Sequence, residues 1–451
     1  MVSKVFLVRY LKRDMHASRS VSVFRRCFST GLSVHNSYKF VVAGGGAGGI
    51  GAAAALKRIY GKDATVGIIE TSQTQYYQPL WTLVGAGAVD FDTSWQPMEN
   101  VIPKGCDWLQ TKVETFHPES NTVVTSDGDK INYEHLIVAL GLELRFDMVE
   151  GLPEALHSDG VCSNYSAQTV KDTWKTLQSF EGGDALFTLP ITPIKCLGAP
   201  QKIMYLSDDY FRKSGVRDKA SIQFCSALGA IFGVQKYAKE LMQICQKRDL
   251  NLNFRHNLVK LNAGEKTATF DILDENGIST GETRTLKYDM IHVTPPMSAP
   301  LALRKSSSLA DSKGFLDVHQ YTLQHKRFPN VFGLGDCVNT PNGKTAAAVA
   351  GQLGVVMNNL YAYIFGNSMN ASYDGYTSCP LVTSYGKCIL AEFDYNAQPL
   401  ETMPLNQGKE RYFSYLVKKD ILPEIYWTGL MKGTWYGPGT IRKILHLGMS
   451  K

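Results

Sequence analysis

Two sets of residues in this sequence could do chemistry: glycines spaced to admit a phosphate, and cysteines able to carry electrons. Near the front, Val41-Val42-Ala43 runs into Gly44-x-Gly46-x-x-Gly49, with Ala47 and Gly48 between. In such a turn the first glycine permits a tight bend, the second lets the backbone approach a pyrophosphate, and the third lets helix and strand pack closely. Glu70 stands 21 residues past Gly49, at the end of a second apolar run, where an acid can hold the hydroxyls of an adenosine ribose. The cysteines are Cys27, Cys106, Cys162, Cys196, Cys225, Cys245, Cys337, Cys379 and Cys388, an odd and scattered set without a CxxC pair or zinc spacing. No metal site is expected from them, and a disulfide among them would serve catalysis rather than structure.

The glycine motif needs a strand before it and a helix after it. The run 40–43 reads as a buried parallel strand, the alanine-rich stretch 49–60 as a helix, and 64–69 as the next strand. Downstream, 108–116 and 122–125 alternate like antiparallel strands, Ser126-Asp127-Gly128-Asp129 is a hairpin turn, and 133–141 is another buried strand ending in glycine. A second α/β region follows, with strands at 185–189, 221–225, 252–255 and 267–273 and helices at 201–212 and 234–247. Its strand 221–225 runs into Ser226-Ala227-Leu228-Gly229-Ala230-Ile231-Phe232-Gly233. Bulky side chains fill the turn where a second phosphate-binding motif would stand, so the second half is not expected to bind a dinucleotide. Residues 330–336 return toward the first half, and 345–363 is a helix.

The net charge of +6 comes from the leader alone. Residues 1–37 hold seven of the 47 basic residues and one of the 41 acidic ones, which leaves the remainder neutral and gives no sign of nucleic-acid binding. The leader is rich in Arg and Ser and poor in acids, as in a mitochondrial transit peptide, and Arg26-Cys27-Phe28-Ser29 resembles a processing site with cleavage before Ser29. No stretch reaches the roughly 18–20 apolar residues that span a bilayer. The tail 411–447 mixes Tyr412, Phe413, Tyr415, Tyr426, Trp427, Trp435 and Tyr436 with Lys and Arg, which suits a helical segment lying in a membrane interface.

From about residue 38 to its end the chain resembles the mitochondrial sulfide:quinone oxidoreductases, flavoproteins with two dinucleotide-binding domains. The resemblance is carried by Tyr77-Gln78-Pro79-Leu80-Trp81-Thr82-Leu83-Val84-Gly85, Lys195-Cys196-Leu197-Gly198-Ala199-Pro200-Gln201-Lys202, Gly335-Asp336, Lys344-Thr345-Ala346-Ala347-Ala348 and Tyr373-Asp374-Gly375-Tyr376-Thr377-Ser378-Cys379-Pro380. It implies an α/β fold of two tandem Rossmann-like domains, the FAD domain discontinuous, plus a C-terminal membrane-interacting helical segment. The corresponding boundaries are 1–37 for the transit peptide, 38–150 and 301–375 for the two parts of the FAD domain, 151–300 for a second Rossmann-like domain with a degenerate NADH site, and 376–451 for the tail region.

The resemblance also implies roles. Gly44, Gly46, Ala47, Gly48 and Gly49 would cradle the FAD pyrophosphate and Glu70 the ribose; Gln78 and Val113 would add contacts, Asp336 would bond the ribityl chain, and Lys344 with the following helix N-terminus would face the flavin pyrimidine edge. Cys196 and Cys379, both expected in short loops, would form a redox disulfide or trisulfide. Hydrogen sulfide would attack Cys379 and leave a persulfide there, the freed Cys196 thiolate would face the flavin, and Lys195 would help depress its pKa. A small acceptor such as glutathione, sulfite or sulfide would remove the outer sulfur, and two electrons would pass through FAD to ubiquinone at the membrane surface. The expected location is the mitochondrial inner membrane, monotopic and on the matrix side. Cys162 falls near a third cysteine used by some bacterial relatives. Two other readings compete: a type II NADH:quinone dehydrogenase-like flavoenzyme, which the filled turn at 226–233 disfavours, and a non-catalytic FAD protein resembling apoptosis-inducing factor, which would not need paired cysteines.

Overall fold

A computed structural model of the chain describes residues 36–449. The transit-peptide reading of 1–37 therefore lies outside the described residues except at Asn36 and Ser37, and Ser37 already opens the first strand.

The first sheet has seven strands: β1 (Ser37–Ala43), β2 (Val66–Ile69), β3 (Cys106–Leu109), β4 (Val113–His117), β5 (Thr122–Thr125), β6 (Lys130–Val138) and a later strand, 331–333. Strands β3, β2, β1 and β6 run parallel in that order, and 331–333 pairs parallel with the far edge of β6. The chain thus comes back to its first sheet nearly 200 residues later, through an apolar strand that ends beside Asp336. The stretch 108–116, expected as one strand, is two: β3 is parallel to β2, and β4 pairs antiparallel with β5 after a break at 110–112.

Helix α1 (Ala47–Tyr60) packs its alanines flat on this sheet; Ala52, Ala53 and Ala55 are fully buried. The spacing of the glycines makes this close contact possible. Gly44 has φ +103°, and a side chain at Gly49 would lie 1.8 Å from the Gly44 carbonyl oxygen. Gly46 faces open space, as a backbone that must admit a ligand should.

The second sheet is parallel throughout, in the order β7 (Val161–Cys162), β14 (Met290–His292), β8 (Gly183–Leu189), β9 (Ala220–Ser226), β10 (Asn251–Phe254). Its inner strands β8, β9 and β14 are largely buried, as in a parallel sheet covered on both faces. A three-stranded antiparallel sheet, β11 (His256–Asn262), β12 (Thr267–Leu273) and β13 (Ser279–Lys287), is appended to it. Helix α2 (Ala199–Lys213) and helix α3 (Gln235–Arg248) flank this half, and α4 (Ala346–Ile364) follows the return strand β15 (Val331–Gly333). The tail is not helical from its start: it opens with an antiparallel hairpin, β16 (Thr377–Ser384) and β17 (Lys387–Phe393). Helical turns then run from 412 to 432, including two π-helical turns, Val417–Ile421 and Ile425–Gly429. Among the described residues no helix is long and apolar enough to cross a membrane.

A buried charge cluster fixes α2 against the hairpin. The Asp208 side chain is 1 % exposed and accepts hydrogen bonds from Arg217 Nε at 2.7 Å and Arg212 Nη2 at 3.0 Å. Arg248 lies 3.8 Å away, pairs with Glu410 and donates to the Thr383 carbonyl oxygen of β16. Removing one member of such a buried cluster leaves the others uncompensated. Asp208→Ala is expected to lower stability by about 3 kcal/mol, read as a drop in the thermal transition, while Lys213→Ala, whose partner Asp209 is on the surface side of α2, should change it little.

Candidate active site

One cavity of about 1090 Å³ runs from the glycine turn to the tail. It is lined by Gly44, Gly46, Ala47, Gly48 and Glu70, by Gln78, Val113, Asp336 and Lys344, and by Cys196, Lys202, Lys418 and Tyr376; Gly49 is not on its wall. Its size exceeds the usual range for a single small ligand.

Glu70 is oriented before any ligand arrives: Oε2 accepts from Gly45 N at 2.8 Å and Oε1 from Ser72 N at 2.7 Å. A carboxylate offers about four acceptor positions, so capacity remains for two hydroxyls. Asp336 follows Gly335 (φ +85°) at the end of β15. Burial raises its pKa above the ordinary carboxylate range, opposed by the nearby Lys344 and Lys195. The Lys344 Nζ donates to Val338 O at 2.5 Å and Thr340 O at 3.4 Å, and burial lowers its pKa. It retains one further donor. Thr345 caps α4 through Ala348 N, and Ala346 and Ala347 at that helix start face the cavity.

The two cysteines expected to react meet on the cavity wall. Cys196 Sγ and Cys379 Sγ are 3.6 Å apart, brought together from positions 183 residues distant. Cys196 lies in the loop before α2 with φ +58°, a conformation that L residues seldom adopt. It is held there by Cys196 N donating to Lys344 O at 2.8 Å, Ala199 N donating to Cys196 O at 2.9 Å and Tyr165 OH donating to Cys196 O at 3.5 Å. Cys379 was expected in a short loop; it sits instead on strand β16, buried, with its backbone fixed by pairing to β17. The approach of the sulfurs depends on Gly198, where a side-chain carbon would lie 2.4 Å from Cys379 Sγ.

The electrostatics make the pair unequal. Lys202 Nζ, on the first turn of α2, donates to Cys196 Sγ at 3.3 Å. The hydrogen bond from Cys379 lowers the Cys196 pKa well below the ordinary thiol range against the opposing effect of burial, and Lys202 and Lys418 reinforce it. Cys379 is pushed up by the same interaction and by burial. Of the two sulfurs, Cys196, which has the Lys202 ammonium beside it, is the one favoured as thiolate. Burial disfavours the Lys202 charge, but Cys196 and Cys379 hold its pKa above the usual value.

Lys195, expected to activate Cys196, does not. Its Nζ turns away to Gln78 Oε1 at 2.6 Å and Tyr165 O at 3.0 Å, and burial brings its pKa down to about 8. The lysine that contacts Cys196 Sγ is Lys202, six residues further on, on the first turn of α2. Lys418 escaped sequence reasoning too: it is 1 % exposed, donates to Pro79 O at 2.6 Å, and burial pushes its pKa down to about 7. It sits in a π-helical turn, a feature that hydrophobic periodicity does not reveal. Cys162 does not line the cavity. It is buried on β7, its Sγ donates to Ile291 O at 3.6 Å, and burial pushes its pKa up to about 12. In the turn 226–233, Ile231 and Phe232 are core residues, with Phe232 edge-on to Tyr237 and Phe393.

Beside this geometry, the family model described as pyridine nucleotide-disulphide oxidoreductase matches residues 38–179, the stretch that contains the glycine turn and Glu70. The fold and the site define a flavin-dependent oxidoreductase of that class. The chain is 51% identical over 415 residues to "Sulfide:quinone oxidoreductase, mitochondrial" of Mus musculus, covering 92% of this chain and 91% of that one. It is 45% identical over 408 residues to the protein of the same name from Dictyostelium discoideum, covering 90% and 88%. A solved structure of the sulfide:quinone oxidoreductase from Aquifex aeolicus shares the fold with a TM-score of 0.75 at 19% identity, covering 91% of this chain and 95% of that one. The chain belongs to the sulfide:quinone oxidoreductase family.

The role of Lys202 is open to a direct check. In the fully reduced protein, alkylation of Cys196 by iodoacetamide is expected to persist to lower pH than that of an ordinary thiol, because the thiolate is held below the usual thiol pKa. Lys202→Met removes the stabilising cation and should shift that profile toward higher pH; an unmoved profile, followed by peptide mass spectrometry at Cys196, would remove Lys202 from this role.

Proposed function

We propose that the chain oxidises hydrogen sulfide in mitochondria, using FAD and the Cys196/Cys379 pair, and reduces ubiquinone. The observation that carries this reading is the approach of the two sulfurs to 3.6 Å beside Lys202, on the wall of a cavity that also contains the glycine turn. The cradle fits FAD. Gly44, Gly46, Ala47 and Gly48 would hold the pyrophosphate, where Gly46 leaves open space, and Gly49 would serve them by letting the helix pack against the turn. Glu70 would hold the ribose, Asp336 the ribityl chain and Lys344 the pyrimidine edge, with Gln78 and Val113 as further contacts. When bound, FAD accepts two electrons from thiols and releases them to a quinone.

The residues act in order. In the oxidised protein Cys196 and Cys379 are bridged. Hydrosulfide attacks the Cys379 sulfur, the S–S bond to Cys196 breaks, and Cys379 carries the persulfide while Cys196 leaves as a thiolate. Lys202 lowers the barrier by holding that thiolate. A second nucleophile of the class of glutathione, sulfite or sulfide takes the outer sulfur from Cys379, and re-forming the Cys196–Cys379 bond releases the two electrons. The buried Lys202, whose charge the sulfurs favour, suits an anionic attacking group. A trisulfide bridge would follow the same course with one sulfur more. We place the protein, monotopic, on the matrix side of the mitochondrial inner membrane; the exposed Tyr412, Phe413, Ile444 and Leu447 of the tail favour a lipid interface. The NADH dehydrogenase reading finds no second glycine turn to support it.

Cys379→Ser and Cys196→Ser should each reduce sulfide-dependent reduction of decylubiquinone about 10³-fold or more while the yellow cofactor stays bound. Turnover near the parent level in either variant would contradict the mechanism.

A further inference from the structure

Lys195 is on the wall of the cavity, but its ammonium bonds neither cysteine sulfur, so its place next to Cys196 in the chain has another use. Its Nζ donates to Gln78 Oε1 at 2.6 Å and to Tyr165 O at 3.0 Å, and it stands 5.4 Å from the centroid of the Trp81 ring. All three partners are neutral. Asp336 acts on the ammonium through space, without a hydrogen bond between them. A lysine carries three donors, so one N–H remains for the cavity.

Gln78 is the informative partner. Its backbone is set: Gln78–Leu80 is a single helical turn closed by Trp81 N donating to Gln78 O, and Lys418 Nζ holds Pro79 O at 2.6 Å. Its side chain is exposed on the cavity wall. A glutamine amide keeps its shape when it is turned over, exchanging its oxygen for its NH2 group. An ammonium has donors only, so it accepts just one of the two orientations, Oε1 toward Lys195 and Nε2 away from it. Among the described residues that Nε2 donates to no group.

The same stretch ties this turn to the reacting sulfur. Cys196 N donates to Lys344 O at 2.8 Å, and residues 195 and 344 pair as a parallel bridge. Tyr165 OH donates to Cys196 O at 3.5 Å, while the Tyr165 carbonyl oxygen takes Lys195. Gln78 and Lys344, both read above as cofactor contacts, are thus fastened to residues 195–196, one by a side chain and one by the backbone. An N–H presented to the cavity at this junction suits an acceptor on a flat heteroaromatic ring, an unprotonated nitrogen or a carbonyl oxygen.

We propose that Lys195 is a positioning residue for the flavin: it holds the Gln78 amide with the oxygen toward the ammonium, so that Gln78 Nε2–H donates to an acceptor atom of the cofactor's ring system. This rests on the FAD reading above and says how that cofactor is gripped beside Cys196. A flipped amide would set an oxygen against the same ring atom, which loses the bond and leaves two acceptors facing each other. Lys195 acts here through Gln78 and not on the sulfurs.

The test uses the holoprotein. Release of FAD on dilution, followed as the rise of free-flavin fluorescence, is measured for Lys195→Met, Gln78→Glu and the double variant. Lys195→Met leaves the amide free to turn over. Gln78→Glu keeps an oxygen for Lys195 but has no N–H for the ring, and each single change is expected to speed release about tenfold. The double variant should stay within about threefold of Gln78→Glu, because both changes break one arrangement. Independent effects, which would multiply to about a hundredfold, would overturn the proposal. So would release at the parent rate in either single variant. In reduced Lys195→Met the iodoacetamide profile of Cys196 should not move; a shift toward higher pH would make Lys195 a partner of the thiolate and overturn the assignment. Should Lys195→Met not fold, Lys195→Gln takes its place with the same expected direction, because an amide at 195 accepts either orientation of Gln78. A parent protein purified without flavin absorbance would refute the FAD reading, and this inference with it. A yellow parent whose single variants release FAD no faster overturns the inference alone.

Discussion

Everything in this structure that can do redox chemistry depends on one contact, the approach of Cys196 Sγ to Cys379 Sγ under the Lys202 ammonium. The two cysteines come from unrelated elements, a loop before a helix and a strand of a late hairpin. The loop holds Cys196 in a left-handed backbone conformation, and Gly198 leaves room for the partner sulfur. The hairpin is locked to the same helix by Asp208 and its arginines, with Arg248 reaching the Thr383 carbonyl oxygen. A loosened charge cluster at the far end of α2 would therefore reach the cysteines as a change in spacing, and thiol exchange tolerates little of that.

The cavity is electrically uneven in a way that suits a sequence of anions. Lys202 is kept charged by the sulfurs it touches, whereas Lys195 and Lys418 are pushed toward neutrality by burial. Asp336 is likewise pushed toward neutrality by burial. Buried groups shifted in this way cluster at functional sites. On the proposed assignment the anionic chemistry lies beside Lys202, on the wall of the same cavity as the flavin cradle.

Much of this was legible in the residues alone. The glycine turn, Glu70 and the alanine helix are encoded locally, since strand, turn and helix are consecutive and each glycine answers a steric demand that sequence spacing expresses. The filled turn at 226–233 was legible for the same reason, as Ile231 and Phe232 are too large for it. The break within 108–116 was not, because alternation cannot tell a parallel strand from an antiparallel one that follows three residues later. Cys379 was misplaced in a loop because its neighbours Gly375 and Pro380 look like turn residues, while pairing to β17 decides the matter. Lys195 was favoured over Lys202 by adjacency in sequence; the helix start at Ala199 reverses that order in space. Arg442 and Lys418 read as interfacial cations among aromatics, and only the packing of the tail shows them to be buried.

The most direct measurement is a stopped-flow absorbance record of the purified yellow protein mixed with sulfide in the absence of quinone, alongside Cys196→Ser and Cys379→Ser. If the paired cysteines carry electrons from sulfide, the parent flavin bleaches with sulfide and neither variant does. An unchanged parent spectrum with sulfide, together with bleaching by NADH, would contradict the cysteine mechanism and return the chain to the NADH-oxidising flavoenzymes.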